Sequence, residues 1–192
     1  MFGFLSEEEV RERSRRRLPG EAEAERFAPG VKAIKDLIYA KHPSDIDTDV
    51  YVQAKLGEYS TDRSRIIVHT ELSEDDISPF RPKSAEYIWY GAGVLDAESG
   101  EILYLDEDLY YRGNKDIYKE RPHDAVLDHS GSRMLSYGDR LTIRKIPEGD
   151  VRELARGIIL YACFLDDDRY VMCMDGDSCA RIFDTVTGLS VM

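Results

Sequence analysis

Clustered carboxylates are the residues of this sequence whose spacing comes nearest to a binding site, because hard cations such as Ca²⁺ prefer oxygen ligands on irregular loops. Asp45, Asp47 and Asp49 have the spacing that opens an EF-hand loop. Val50 and Leu56 stand where that loop needs glycine and glutamate, so the segment is interpreted as a polar linker. Three further clusters lie at predicted turns, where aspartate is also an ordinary turn residue. They are residues 106–108, 166–168 and 175–177.

A hydrolytic site would need a serine or cysteine nucleophile beside a histidine and an acid. Asp128, His129, Ser130 and Ser132 are neighbours in sequence, but such neighbours seldom form a triad and no Gly-x-Ser-x-Gly elbow occurs. No His-Glu-x-x-His zinc motif is present either. The sequence therefore favours a protein without catalytic activity, with an enzyme that uses the His129 region as an alternative.

Cysteine usage favours a reducing cytoplasm. The three cysteines are an odd number without a Cys-x-x-Cys pair, which argues against a disulfide framework and against a zinc site. Cys163 lies in an apolar run and is expected to be a buried, inert thiol. Cys173 and Cys179 flank a turn and are expected to be core or edge thiols, with pairing across a hairpin as the alternative.

The charge balance bears on the class of partner. With 38 acidic and 26 basic residues the net charge is −12, which argues against a nucleic acid as main partner. It suits a cation, a basic protein or plain solubility. The arginines of residues 11–17 are interpreted as a solvated helix face, because glutamates are interleaved with them. No apolar run is long enough for a membrane span, and the acidic start is unlike a secretory signal.

Residues 1–44 are predicted to be a helical extension. A capping box at Ser6 starts the first helix, and Pro19 with Gly20 ends it. A second short helix over residues 21–27 is predicted to break at Pro29 and Gly30. A third, over residues 31–40, places apolar side chains on one stripe. That stripe consists of Val31, Ile34, Leu37 and Ile38.

From residue 45 onward the pattern predicts short strands separated by turns. Strands are predicted over residues 50–56, 65–70, 87–95, 102–105, 109–111, 140–146, 158–165, 170–174 and 179–183. Residues 150–156 are predicted to be a short helix or turn, residues 112–136 a long polar segment, and residues 158–165 a strand buried on both faces. Gly91 and Gly93 indicate a bulge or a close backbone approach. The fold class is therefore mainly β, an antiparallel β-sandwich with a short helical N-terminal extension.

Several segments between residues 85 and 190 keep the order and approximate spacing of a known family. They are residues 92–100 (AGVLDAESG), 108–114 (DLYYRGN), 126–131 (VLDHSG), 140–147 (RLTIRKIP) with Val151, 158–164 (IILYACF) and 180–188 (ARIFDTVTG). Together they resemble the TerD family, the bacterial tellurite-resistance and general stress proteins. The resemblance implies a β-sandwich over residues 45–192, two calcium ions in loops at one end, and a stress-response role without established catalysis.

The departures from the family pattern predict that calcium binding is weakened or lost. Tyr87 and Trp89 stand where the family places two aspartates, and Ser132 and Arg133 stand where it places Asp-Asn. An arginine beside a cation site is unfavourable, and Ca²⁺ needs six to eight oxygens. If calcium is retained as a cofactor, the resemblance carries over Asp139 as ligand. The local substitutes are Asp106, Asp108 and Asp128.

The leading hypothesis is a non-enzymatic, cytoplasmic, TerD-like stress-response protein that binds or scaffolds a protein partner. Residues 1–44 are the expected docking element. The sequence does not decide whether the chain also forms homo-oligomers. The alternative is an acidic inhibitor or immunity-type protein that covers a basic partner. The family continues into one more strand after the position of Met192, so the last sheet edge is expected to be filled by another chain or left open.

Overall fold

The fold is seen in a computed structural model, which describes residues 18–41, 50–74, 86–87, 90–106, 111–112, 122–165 and 168–192. Several sequence predictions lie outside these residues. They are the helix starting at Ser6, the arginine cluster of residues 11–17, the Asp45–Asp47–Asp49 segment, Trp89, and Asp108. No helix in the described ranges combines the length and the apolar character needed to cross a membrane.

The N-terminal helix α1 runs unbroken over Glu21–Lys41, so the predicted break at Pro29 and Gly30 is wrong. Phe27 lies before the proline and Ile34 after it, and both are fully buried on the same sheet. Packing of both halves outweighs the local cost of the proline. Ile38 is buried as the stripe predicted, whereas Leu37 is 50% exposed.

Sheet I is antiparallel, with strand order β1-β2-β4-β5. Its strands are β1 (Val50–Tyr59), β2 (Arg65–Glu74), β4 (Tyr90–Asp96) and β5 (Ile102–Leu105). The strand predicted over residues 87–95 is divided, since β3 (Glu86–Tyr87) pairs instead with β6 (Tyr111–Arg112). Gly93 allows the close approach that the sequence indicated, because a Cβ there would lie 2.7 Å from Ile34 Cδ1.

Three of the four strands of sheet II were not predicted from the sequence, whereas the strand predicted over residues 140–146 is confirmed. The strands of this sheet are β7 (Pro122–Leu127), β8 (Arg133–Gly138), β9 (Arg140–Lys145) and β10 (Val151–Arg156), in the order β10-β9-β8-β7. The long polar segment predicted over residues 112–136 thus contains β7 and the start of β8. Residues 150–156 were predicted to be a short helix or turn, but Val151–Arg156 form a strand paired with β9. Hydrogen bonding to β9 makes this segment a strand, because its own sequence pattern does not distinguish a helix from a strand.

Sheet III consists of β11 (Ile159–Phe164), β12 (Tyr170–Asp175) and β13 (Ala180–Asp184), in that order. Part of its β13 edge is covered by residues 189–192 of the same chain, whereas the sequence analysis expected this edge to be open or filled by another chain. The Val191 N–H donates to the Ile182 carbonyl at 2.8 Å, and the Ile182 N–H donates to the Met192 carbonyl at 3.0 Å. Ser190 completes the contact in a bridge with Phe183. The chain therefore turns back along its own strand.

Three hydrophobic clusters join these elements into a stack of four layers. The first cluster packs α1 against one face of sheet I, through residues that include Ile34 and Val68. The second lies between sheets I and II, where Ile67 meets Met134. The third lies between sheets II and III, where Leu135 meets Val171. The mainly β, antiparallel class is confirmed, and α1 shares its core with sheet I; the domain division at residue 44 stays a prediction.

Candidate functional site

Arg133, the first residue of β8, lies at the junction of three loops. Its Nε donates to Asp128 Oδ2 at 2.8 Å, its Nη1 to Thr185 Oγ1 at 3.0 Å, and its Nη2 to the Asp168 carbonyl at 2.9 Å. The planar guanidinium suits such a fan of acceptors. Arg133 thereby ties the β7–β8 loop of sheet II to two loops at one end of sheet III.

The β7–β8 loop is ordered around the buried carboxylate of Asp128, which is 1% exposed. Ser132 Oγ donates to Asp128 Oδ2 at 3.1 Å, and Ser130 Oγ donates to Ser132 Oγ at 2.9 Å. Because Arg133 and Ser132 both bind the same oxygen, this carboxylate serves the loop as an internal anchor. The structure thus brings together the acid and the two hydroxyls that the sequence singled out.

Gly131 shows why the loop closes so tightly against sheet I. Its φ is +68°, and a Cβ there would lie 2.7 Å from Cδ of Arg65. Arg65 Nη1 donates to the Gly131 carbonyl at 2.7 Å and to the Ile146 carbonyl at 3.2 Å. A glycine is required here both for the left-handed backbone and for the close approach of the arginine.

His129 is exposed at the tip of the same loop and is held there by its backbone. Its N–H donates to Asp168 Oδ2 at 2.9 Å, and its carbonyl accepts from the Asp62 N–H at 3.0 Å. Within the described residues, the hydrogen bonds of His129 therefore position the loop. None of them joins its ring to the serine hydroxyls, as a triad would require.

The pKa values of two carboxylates near His129, those of Asp168 and Asp62, are shifted in opposite directions. Burial raises the pKa of Asp168, which adopts a left-handed backbone with φ of +54°. Burial alone would also raise the pKa of Asp62, but hydrogen bonds from Ser60 and Ser64 outweigh it and hold that pKa below its usual range. The two groups differ because Asp62 accepts three hydrogen bonds in its own turn, at 2.7, 3.0 and 2.8 Å.

The candidate calcium ligands are placed on separate parts of the molecule. Asp128 is bound by Arg133, and buried Asp106 has Oδ2 3.8 Å from Nη2 of Arg144. Asp139 follows the far end of β8, about 20 Å along the strand from Asp128. In the part of the chain that the structure describes, no three His, Cys, Asp or Glu side chains come near enough to hold a metal ion. Asp108 lies outside that part.

The three cysteines are free thiols on different surfaces of sheet III. Cys173 is buried and its register partner is Arg181, so it does not face Cys179, which is exposed. Burial raises the pKa of Cys173 and of Cys163, which keeps both as neutral thiols. Cys163 is only partly buried, whereas the sequence predicted full burial.

The largest departure from expectation is the surface of sheet III that points away from sheet II, here called the outer face. On β12 and β13, strand alternation and register place six residues on it. They are Tyr170, Met172, Met174, Ala180, Ile182 and Asp184. Asp184 is buried and paired with Arg169, whose Nη2 lies 3.1 Å from Asp184 Oδ2. On β11, the ring of Tyr161 lies 6.3 Å from the ring of Tyr137 in sheet II. Tyr161 is 47% exposed, so the prediction that residues 158–165 are buried on both faces is wrong. The sequence signal for this face was present, because β12 is apolar at successive positions from Val171 to Met174.

Comparison with known proteins adds no relative to this picture. No family model matches the chain, and no curated protein matches it. The likeness to the TerD family therefore stands on the sequence segments alone.

Proposed function

We propose that this protein is a non-enzymatic, TerD-like binding or scaffold protein that acts in a cytoplasmic stress response. The observation that carries the binding role is the outer face of sheet III, where Met174 and Ala180 are exposed and the charged Asp184 is buried and paired with Arg169. Antiparallel sheets that face water normally carry polar side chains there. An exposed apolar sheet face is typical of a surface that contacts another molecule.

The loop end supports a role without catalysis. A general base must be free to accept a proton from the group that it activates. Asp128 Oδ2 already accepts hydrogen bonds from Arg133 Nε at 2.8 Å and from Ser132 Oγ at 3.1 Å. The same arginine reaches Thr185, so the cluster joins loops of two sheets. Its chemistry is that of a structural junction.

A deletion strain tests the proposal. Loss of the gene should lower survival under tellurite or oxidant, and the wild-type chain should restore it. His129→Ala should restore survival equally well, because the hydrogen bonds of His129 are made by its backbone. Met174→Asp should fail, since it places a charge on the outer face.

Each result of that test has a clear reading. Unchanged survival of the deletion strain would overturn the stress-response role. Failure of a folded His129→Ala chain would overturn the non-enzymatic role and favour an enzyme that uses the His129 region. Restoration by Met174→Asp would overturn binding through the outer face.

A further inference from the structure

We propose that His69 and Asp124 form a pH-sensitive contact between sheets I and II, an ion pair that is made when the His69 ring is protonated and lost when the ring is neutral. His69 lies on β2 of sheet I, and Asp124 lies on β7 of sheet II. Nδ1 of His69 is 3.7 Å from Oδ1 of Asp124. That separation is too long for a hydrogen bond from a neutral ring, but an ion pair with a protonated ring can form across it.

The carboxylate of Asp124 is held in place on the side of sheet II. Its Oδ2 accepts a hydrogen bond from the Tyr137 hydroxyl at 3.0 Å, and its Oδ1 accepts one from the Ala125 N–H at 2.8 Å. Burial and the neighbouring carboxylate raise the pKa of Tyr137, so its hydroxyl keeps the proton that it donates. Because two donors already set the orientation of the carboxylate, an ion pair with His69 costs little further ordering of this side chain.

The ring of His69 is held in place on the side of sheet I, because Gly57 of β1 leaves room for it. A Cβ at Gly57 would overlap Nε2 of the ring and would lie 2.6 Å from its Cδ2. The ring therefore packs directly on the β1 backbone, with Nε2 beside Gly57 and Nδ1 near Asp124. A protonated ring in this position has its charged partner in the other sheet.

The groups that neighbouring strands bring to His69 decide the sign of the pH effect. Its register partners are Lys55 on β1 and Ala92 on β4, while β7 brings Asp124, behind which lies Tyr137 of β8. The Lys55 charge opposes protonation of the ring, but this side chain is exposed and water screens it. Histidine is the side-chain type that ordinarily changes charge between pH 5 and 8. Acidification from pH 8 to pH 5.5 should therefore strengthen the contact, since the folded state then binds the proton more tightly than the unfolded state.

A double-mutant cycle of His69→Gln and Asp124→Asn on the full chain, measured by urea denaturation at pH 5.5 and at pH 8, tests the proposal. The two side chains are 39% and 48% exposed, so at pH 5.5 their coupling should change the unfolding equilibrium constant by about threefold. At pH 8 the coupling should vanish. The matched control is the exposed Lys32–Asp36 ion pair of α1, with Lys32→Gln and Asp36→Asn. Its coupling should be equal at the two pH values, because lysine is charged at both.

The Ala125 amide gives a second measurement, which does not depend on unfolding. Because its N–H donates to the same Oδ1 that lies near His69, its NMR resonance should move between pH 8 and pH 5.5 in the wild type. The resonance should stay in place in His69→Gln, whose fold is checked by far-UV circular dichroism. Equal coupling of His69 and Asp124 at the two pH values would overturn the proposal. An Ala125 resonance that moves as far in folded His69→Gln as in the wild type would overturn it as well.

Discussion

Sheets II and III have similar patterns but different surroundings. In sheet II, Met134 and Leu135 are adjacent on β8, point to opposite clusters, and are both 0% exposed. In sheet III, Cys173 is 0% exposed and its neighbour Met174 is 39% exposed. Sheet II is covered on both sides by other sheets, whereas the described residues cover sheet III on one side.

The difference shows what determines whether an apolar strand is buried on one face or on both. A strand that is apolar at successive positions needs two apolar neighbours, and its own sequence does not say whether both come from the same chain. Sheet II receives them from sheets I and III. For sheet III the described residues supply one such neighbour, sheet II. The predictions below test how the two sheets are joined and covered.

The largest effect is expected where the two sheets are tied together. Arg133→Ala would leave the Asp128 carboxylate, 1% exposed, without its cation and would release the loops at Thr185 and Asp168. Loss of one partner of a buried pair should lower the free energy of unfolding by about 3 kcal/mol. Urea denaturation measures it. Arg156→Ala, which removes a 70% exposed partner of Glu153, should cost under about 0.5 kcal/mol. Equal losses in the two variants would contradict the role of Arg133.

The covered and uncovered faces should respond differently to the same truncation. Leu135→Ala should lower the free energy of unfolding by about 3 kcal/mol, because it opens a cavity between sheets II and III. Met174→Ala should cost less than about 1 kcal/mol in the monomer, since its side chain is already partly in water. Denaturation at low protein concentration compares them. A large loss for monomeric Met174→Ala would mean that the outer face is covered within the chain.

The contact between α1 and sheet I supplies a third test of coverage. A Cβ at Gly30 would lie 2.6 Å from the Gly100 carbonyl oxygen, which is backbone and cannot move aside easily. Overpacking should outweigh the gain of about 1 kcal/mol in helix propensity, so Gly30→Ala should destabilise by about 1 kcal/mol. Gly20→Ala is the control, because its Cβ would meet only Glu23 at 3.9 Å. A stabilised Gly30→Ala protein would show that α1 packs more loosely.

Removing the charge of an aspartate should change stability in opposite directions in two turns, and both changes should depend on pH. Burial raises the pKa of Asp168, so the charge of this carboxylate opposes folding at neutral pH. Asp168→Asn should therefore raise the midpoint of urea denaturation at neutral pH. This gain in stability should vanish below about pH 4, where the wild-type carboxyl is protonated in both the folded and the unfolded state. The Ser99 N–H holds the pKa of Asp96 below its usual range. Asp96→Asn should therefore lower stability at neutral pH, and the deficit should shrink as the wild type loses this contribution on acidification. Shifts of the same sign in both variants would contradict these assignments.

The smallest effect is expected from calcium. Asp128 is bound by Arg133, Asp106 faces Arg144, and Asp139 lies at the other end of β8. Millimolar Ca²⁺ should therefore raise the melting temperature by less than about 1 °C over chelator, because a ligand stabilises only in proportion to its affinity for the folded state. Differential scanning fluorimetry measures this. A rise of several degrees would show that a site survives.

The sequence predicted much of sheets I and III, but in sheet II it predicted only β9. Residues 102–105 were predicted with the bounds of β5, because this apolar segment follows the turn at residues 98–100. The strand β8 has no alternation of apolar and polar residues, since both of its faces are buried, and β7 begins at a proline on a sheet edge. The break predicted at Pro29 failed for a related reason: the helix is held by contacts with sheet I, which are distant in sequence.

The candidate site was predictable in its residue types and not in its partners. The sequence placed Asp128, Ser130 and Ser132 together because they are neighbours along the chain. It gave no signal that Arg133 would contact Asp168 and Thr185, which lie 35 and 52 residues away. The arginine was interpreted from the family pattern as a lost calcium ligand, and the structure shows its contacts. The outer face was visible in the composition of β12, but its exposure depends on which layers the chain provides.

The segment that turns back along β13 has a consequence for growth of larger assemblies. Strand-to-strand polymerisation requires a free edge at each end of the repeating unit. Ser190, Val191 and Met192 occupy the β13 edge through the bridge with Phe183 and two hydrogen bonds to Ile182. Sheet III therefore meets a neighbour on this side with the short segment of residues 190–192 instead of with β13. Short edges pair less readily with other strands, so this segment weakens the edge as a place for strand addition.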